Sequence, residues 1–291
     1  MSIQRSTPGS NSVLDGPPLS EAVRGPASTR AIDSETEPCD AETADNCRDA
    51  VLTRAFRIID AFNPGEHSLS LTELAKRAGL PKSTAHRLIS QLEEWGVLER
   101  RGARIRLGLQ LFEWGSAVPR QSILKERGNT YAESLSRATR TVVQIGIVDA
   151  GEVLYISKVG ASFESRIPTS VGSRMPAHCT GLGKAVLAFS CPDVVEQAVE
   201  RGLAPRTRHS IVSKRVLADE LAAVRERGAA IDREEAVLGI TCVAAPVLGS
   251  DGFAIGAVSA GCASLQFNPG FLLPLVRQVS QQISDELRGR V

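Results

Sequence analysis

Residues 71–88 read Leu-Thr-Glu-Leu-Ala-Lys-Arg-Ala-Gly-Leu-Pro-Lys-Ser-Thr-Ala-His-Arg-Leu. Ser70 precedes this stretch and Glu73 follows it by three positions, the capping-box pattern that opens a helix. Leu74, Ala75 and Ala78 supply the apolar side of that short helix, and Gly79 a left-handed stop. Pro81 opens the next helix, at a position where its missing N–H costs nothing. Ala85, Leu88, Ile89 and Leu92 fall at helical spacing and give this second helix one buried stripe, and Gly96 ends it. Two short helices around a glycine-containing turn are the centre of a helix-turn-helix.

The flanks extend the pattern. Upstream, Val51, Leu52, Ala55, Ile58, Ile59 and Phe62 predict an amphipathic helix, stopped by Asn63-Pro64-Gly65. Downstream, Val97–Arg100 and Arg104–Leu107 surround Arg101-Gly102-Ala103, a strand–turn–strand signal. Three helices and a basic hairpin over 49–108 predict a winged helix-turn-helix.

The helix from Pro81 turns Lys82, Ser83, His86, Arg87 and Gln91 away from its apolar stripe, with Thr84 at the edge. These donors suit phosphates and base edges. Ser83, Thr84 and Arg87 are expected to anchor or read DNA, and Arg101 and Arg104 to grip phosphate from the wing, which also carries Arg100 and Arg106. Taken alone, such a face is equally a solvated helix surface. The tri-helical layout and the four-arginine hairpin favour nucleic acid.

Charge is distributed by segment. Residues 1–48 hold four basic and eight acidic side chains, 49–108 ten and seven, and the rest 20 and 18. The net charge of +1 excludes a wholesale basic coat for nucleic acid while allowing a local basic face. Residues 1–48, with seven Ser, four Thr, five Pro and no aromatic residue, are expected to form a disordered acidic tail. No apolar run approaches the roughly 18 residues of a membrane span, and the N-terminus lacks the apolar core of a signal peptide. Six cysteines without a Cys-x-x-Cys pair are read as reduced thiols in a cytoplasmic protein, with no zinc site, metal or cofactor expected.

Residues 109–139 predict helices divided by Pro119, serving as a linker that also pairs with another chain. From 140 to 291 the pattern is mixed. Thr141–Val148 and Val153–Val159, and Ile240–Leu248 and Phe253–Gly261, predict two hairpins. Helices are expected at Thr180–Phe189, Arg215–Arg227 and Phe271–Leu287. Hairpins with helices to the side make an α+β domain with an antiparallel sheet.

The stretch His178-Cys179-Thr180-Gly181-Leu182-Gly183-Lys184-Ala185 lacks the first glycine and the final hydroxyl of a nucleotide phosphate loop, and the third glycine of a dinucleotide fingerprint. What remains is a helix N-terminus whose free N–H groups suit a small anion such as a carboxylate, or whose glycines only permit close packing. Cys179 beside His178 raises a thiol nucleophile, without an identifiable third orienting group. Cys242 and Cys262 lie in apolar strands as small hydrophobes. Asp232, Glu234 and Glu235 form an acidic cluster, either a solvated turn or, through Asp232, an acceptor for a ligand hydroxyl.

In this order and spacing the motifs resemble the IclR-type bacterial transcription regulators. The resemblance rests on Leu71 to Ala75, Gly79 to Leu88, Gly183-Lys184-Ala185-Val186-Leu187-Ala188, Arg227-Gly228, Asp232 to Glu235, Gly239, and Cys242-Val243-Ala244-Ala245-Pro246-Val247, and covers about 50 to 288. It implies a winged helix-turn-helix, a linker helix and a GAF-like effector domain. It also implies a homodimer or dimer of dimers on a double-stranded operator, sensing a small organic or aromatic carboxylate to repress or activate nearby catabolic genes, with repression the expected sign. By motif match, the effector site falls on Gly181, Leu182, Asp232, Cys242 and Ser259, with Ile167 and Met175 as apolar wall. Three positions depart from the pattern: Arg106 replaces a common aromatic residue, Gly261 a second pocket hydroxyl, and Leu182 a smaller side chain. Two other readings stand beside this one: an enzyme using Cys179 or Cys242 with His178, tethered to DNA, and a constitutive DNA-binding protein with a vestigial pocket.

Overall fold

The computed structural model describes residues 51–63, 65–160 and 167–289. The expected tail at 1–48 lies outside them.

The N-terminal part runs α1 (Val51–Asp60), β1 (Leu69–Ser70), α2 (Leu71–Arg77), α3 (Lys82–Glu94), β2 (Leu98–Arg101) and β3 (Arg104–Leu107). Ser70 caps α2 in a reciprocal box: its hydroxyl accepts from the Glu73 N–H at 3.2 Å, and the Glu73 carboxylate accepts from the Ser70 N–H at 2.7 Å. Gly79 and Gly96 both stand at positive φ, 65° and 68°, so each turns the chain where a side chain would be strained. Pro81 is the cap of α3 rather than its first residue, because its ψ of 141° is extended. The wing pairs β2 with β3, and β1 adds to the outer side of β3. Ile58, Leu74, Ala85, Leu88, Ile89, Leu98 and Ile105 close one core. The stripe expected on α1 is only partly buried: Ile58 is enclosed, whereas Val51 and Leu52 are exposed, because the core ends one turn before them.

Next come α4 (Leu109–Ser116) and α5 (Pro119–Thr139), divided where Pro119 predicts. The second of these does more than link. Leu124, Ala132 and Leu135 of α5 belong to the core of the C-terminal domain.

That domain is a six-stranded antiparallel sheet. Its strands are β4 (Val142–Asp149), β5 (Glu152–Val159), β6 (Arg174–Pro176), β7 (Ala230–Arg233), β8 (Ile240–Leu248) and β9 (Ala254–Ala263), in the order β6-β5-β4-β9-β8-β7. Helices cover both faces. On one side α5 and α9 (Pro269–Arg288) pack on Val143, Ile145, Val243, Val258 and Ala260. On the other, α6 (Gly181–Ala188), α7 (Pro192–Glu200) and α8 (Lys214–Arg227) pack on Val153, Ala230, Ala244 and Ala257. Alternation along each strand therefore feeds two cores rather than one core and solvent. The sequence reading missed α7 and the short strands β6 and β7.

Candidate functional site

The exposed side of α3 presents Lys82, Ser83, His86, Arg87 and Gln91, with Thr84 half-buried, while Ala85, Leu88 and Ile89 point inward. Among the described residues none of the side chains of Lys82, His86, Arg87 or Gln91 is engaged in a hydrogen bond or ion pair. Their donors are free for an incoming polyanion. The wing arginines are not: Arg100 pairs with Glu93 at 2.9 Å, and Arg101 and Arg106 both pair with Glu99 at 2.7 Å. Arg104 donates to Ser68 O at 2.9 Å and to the Glu73 carboxylate at 3.1 Å, tying the wing to the capping box of α2. Arg106, where an aromatic residue was noted as usual, is held instead by Glu99, its partner across the β2–β3 ladder.

The C-terminal domain holds a cavity between the first turn of α6, the sheet and the segment 167–169. Ile167, Met175, Gly181, Leu182, Asp232, Cys242 and Ser259 all line it. The sheet brings them together. Asp232 on β7 is opposite Cys242 on β8, Cys242 is opposite Gly261 on β9, and Ser259 on β9 is opposite Ala244 on β8. Residues paired in this way project to the same face.

At the α6 end, Thr180 is the cap. Its hydroxyl accepts from the Gly183 N–H at 3.2 Å, and its carbonyl from the Lys184 N–H at 2.9 Å. Gly181 and Leu182, whose N–H groups have no partner within the helix, line the cavity, and the Gly181 N–H faces the Cys242 sulfur. The glycines act differently. A β-carbon on Gly183 would lie 2.1 Å from Ala177 O, so its role is packing. A β-carbon on Gly181 would enter the cavity wall beside Cys242 and Asp232.

Asp232 is buried, and its Oδ1 accepts from the Glu235 N–H at 2.7 Å. Burial, with the neighbouring Glu235 carboxylate second, pushes its carboxyl up to about 7. Burial also raises the Tyr155 phenol and the Cys242 thiol, so both remain protonated donors. Among the described residues lining the cavity there is no lysine, arginine or histidine.

Lys184 does not reach the cavity. It is almost wholly buried and its ammonium donates to Glu235 at 2.5 Å and to Ile231 O at 2.8 Å, with Glu220 at 3.4 Å. Glu235 is therefore a structural partner of Lys184, holding the turn that carries Asp232, rather than part of a solvated cluster.

His178 and Cys179 are not paired. The His178 Nε2 lies 3.2 Å from Ala204 O, and the Cys179 thiol donates to Pro176 O at 3.7 Å. Burial, then the Asp232 and Glu235 carboxylates, pushes the Cys179 thiol up to about 12, far from the thiolate a nucleophile needs. Among the described residues no group of three or more His, Cys, Asp or Glu is placed to hold a metal ion.

The cavity also contains residues the sequence did not single out: Gln144, Tyr155, Thr169, Val237 and Ile240. Strand register brings Gln144, Tyr155 and Ile240 to one place, while Thr169 and Val237 come from the loops beside the sheet, and local sequence carries no signal for either.

Two family profiles match the chain: the IclR helix-turn-helix domain over residues 51–102, and the bacterial transcriptional regulator IclR C-terminal domain over 116–285. The HTH-type transcriptional regulator XynR of Escherichia coli K12 is 30% identical over 233 residues, 79% of this chain and 92% of that protein. The crystal structure of Thermotoga maritima IclR is similar with a TM-score of 0.66 at 29% identity, over 81% of this chain and 98% of that one. The structure of an IclR homolog from Microbacterium hydrocarbonoxydans complexed with 4-hydroxybenzoate gives a TM-score of 0.74 over 82% of this chain and 100% of that one; at 24% identity it shows the shared fold. A DNA-binding helix-turn-helix with a free polar face, joined to a domain enclosing a polar cavity, thus meets a family of the same two parts: the chain belongs to the IclR family of bacterial transcriptional regulators.

Proposed function

We propose that this regulator senses a small organic or aromatic carboxylate in the C-terminal cavity and, in response, changes its grip on a double-stranded operator, repressing nearby catabolic genes. The observation that carries this reading is the convergence on one cavity of Gly181, Asp232, Cys242 and Ser259, from one helix and three strands. The ligand carboxylate would accept from the Gly181 and Leu182 N–H groups, where the helix dipole favours negative charge. With no cation in the described lining, a neutral Asp232 serves as donor, and Cys242 and Ser259 add further polar contacts. Ile167 and Met175 supply apolar wall.

On DNA, Ser83, Thr84 and Arg87 would anchor or read through α3, with Lys82, His86 and Gln91 beside them. Arg101, the most exposed of the wing arginines, would reach phosphate. Arg104 has a bracing partner in Glu73; the pair is solvent-exposed and screened, so phosphate can displace it.

The protein would act as a homodimer or a dimer of dimers. Its support is the apolar surface left uncovered on α1 and α4, where Leu52, Phe56, Leu109 and Phe112 are 61–77% exposed. We propose no catalytic step, since the buried Cys179 and Cys242 thiols are held protonated. The regulator would work in the cytoplasm; among the described residues no helix is long and apolar enough to cross a membrane.

A thermal-shift screen of small carboxylates tests this reading. A stabilising acid whose effect is lost in Asp232→Ala supports it, and a screen in which no acid raises the melting temperature goes against it.

A further inference from the structure

Gln144 is buried on β4 and lines the cavity. Its neighbours follow from register: Ser259 on β9 on one side and Lys158 on β5 on the other. The polar row Ser259–Gln144–Lys158 therefore crosses the sheet on the face that holds the cavity. Gly181 is over β8, since a β-carbon there would lie 3.4 Å from the Ala244 β-carbon. β4 is two strands from β8, which sets Gln144 about 10 Å across the sheet from the α6 end. The cavity thus has two polar poles.

The far pole is built rather than incidental. The Gln144 amide donates to the Thr169 hydroxyl at 2.6 Å, and both residues line the cavity. Thr169 is itself fixed from behind, where the Lys158 ammonium donates to Thr169 O at 2.6 Å and to Ile167 O at 3.1 Å. Among the described residues the Gln144 amide oxygen and the Thr169 hydroxyl proton have no further partner. A buried amide and hydroxyl with spare hydrogen-bonding capacity favour a ligand that brings a partner to them.

We infer that Gln144, oriented by Thr169, is the specificity-determining residue of the cavity and selects acids that carry a second hydrogen-bonding group, a hydroxyl, at the end remote from the carboxylate. The inference rests on the acid-sensing reading above and adds to it the identity of the second contact. A plain acid of the same shape leaves the amide and hydroxyl unmatched. A hydroxy acid donates to the amide oxygen and accepts from the threonine.

Matched pairs of probes separate the two ideas: benzoate with 4-hydroxybenzoate, and butanoate with 4-hydroxybutanoate, titrated calorimetrically into the full chain. Within at least one pair the hydroxy acid binds about tenfold more tightly to the parent protein. Gln144→Leu brings that ratio close to one, and Thr169→Val lowers it, while the plain acid changes little. The readout is the ratio within a pair, which general loosening of the fold does not move. Thr169→Val gives an independent answer if Gln144→Leu fails to fold. Equal binding of both members to the parent protein, or a ratio that survives in the variants, overturns the role of Gln144 and leaves acid sensing in place. Failure of every probe, plain and hydroxylated alike, overturns acid sensing and this inference with it.

Discussion

Gly181 approaches Cys242 so closely that a β-carbon added to it would lie 2.7 Å from the sulfur. The next atoms it would meet are the Ala244 β-carbon at 3.4 Å and the Asp232 β-carbon at 3.6 Å, both ordinary contacts. Sulfur alone is in the way. Gly181→Ala should therefore cost about 1–3 kcal/mol through overpacking and weaken ligand binding, and Cys242→Ala in the same chain should recover most of the stability. Denaturant melts of the two single variants and the double variant check the coupling; additive losses would contradict the contact. Gly183→Ala should be worse and not rescued by Cys242→Ala, since its β-carbon meets backbone atoms of Ala177.

Asp232 makes stability and ligand binding depend on pH. Its carboxyl is raised from 3.8 to about 7, by burial first and Glu235 second. Between those values the folded state binds more protons than the unfolded one, so this group's contribution favours folding at low pH and is lost as pH rises toward 7. Asp232→Asn should therefore gain stability over the parent at pH 8, with the gain vanishing near pH 4. A carboxylate ligand should bind most tightly below pH 7 and lose up to about tenfold per pH unit above it, a slope that Asp232→Asn abolishes. Proton uptake on binding, read by calorimetry in buffers of different ionisation enthalpy, gives a separate check.

Lys184 holds the turn that carries Asp232. Lys184→Met leaves Glu235, whose Oε2 already lacks a partner, as an uncompensated buried charge. A loss of about 3–5 kcal/mol is expected, with partial recovery in Lys184→Met/Glu235→Leu. Equal stability of the single variant and the parent would show that the pair is not the anchor described.

On the DNA side, Arg87→Ala should weaken operator binding and flatten the salt dependence by about 0.9 in log–log slope, one phosphate contact. Arg104→Ala should change the slope less, because Glu73 and Ser68 already occupy its guanidinium. Fluorescence anisotropy at several salt concentrations distinguishes the two. An unchanged slope in Arg87→Ala would remove that residue from the interface.

What the sequence made legible is local. The Ser70–Glu73 box, the glycine stops at Gly79 and Gly96, and the wing hairpin each depend on a few adjacent residues, and each forms. Ile167, Met175, Gly181, Leu182, Asp232, Cys242 and Ser259 were expected together only through the family resemblance, and all seven line one cavity. Gln144 and Tyr155 are joined by the register of β4 and β5, and Thr169 by its hydrogen bond to Gln144 from a loop, neither of which a local pattern shows. Lys184 follows a glycine in a stretch that fails the phosphate-loop pattern, and its burial against Glu235 depends on a partner 51 positions away. Val51 and Leu52 have helical periodicity yet stay exposed, since periodicity reports an apolar face and not what covers it.

Sensing requires the cavity and the α3 face to be energetically coupled, so that filling one changes the affinity of the other. Operator DNA obtained by in vitro selection is titrated with the full chain, with and without the acid that binds most tightly. Saturating acid is expected to change operator affinity by about 5- to 150-fold, operator to change acid affinity by the same factor, and Asp232→Ala to remove both effects. An operator affinity that stays the same while calorimetry shows the cavity filled would contradict the coupling.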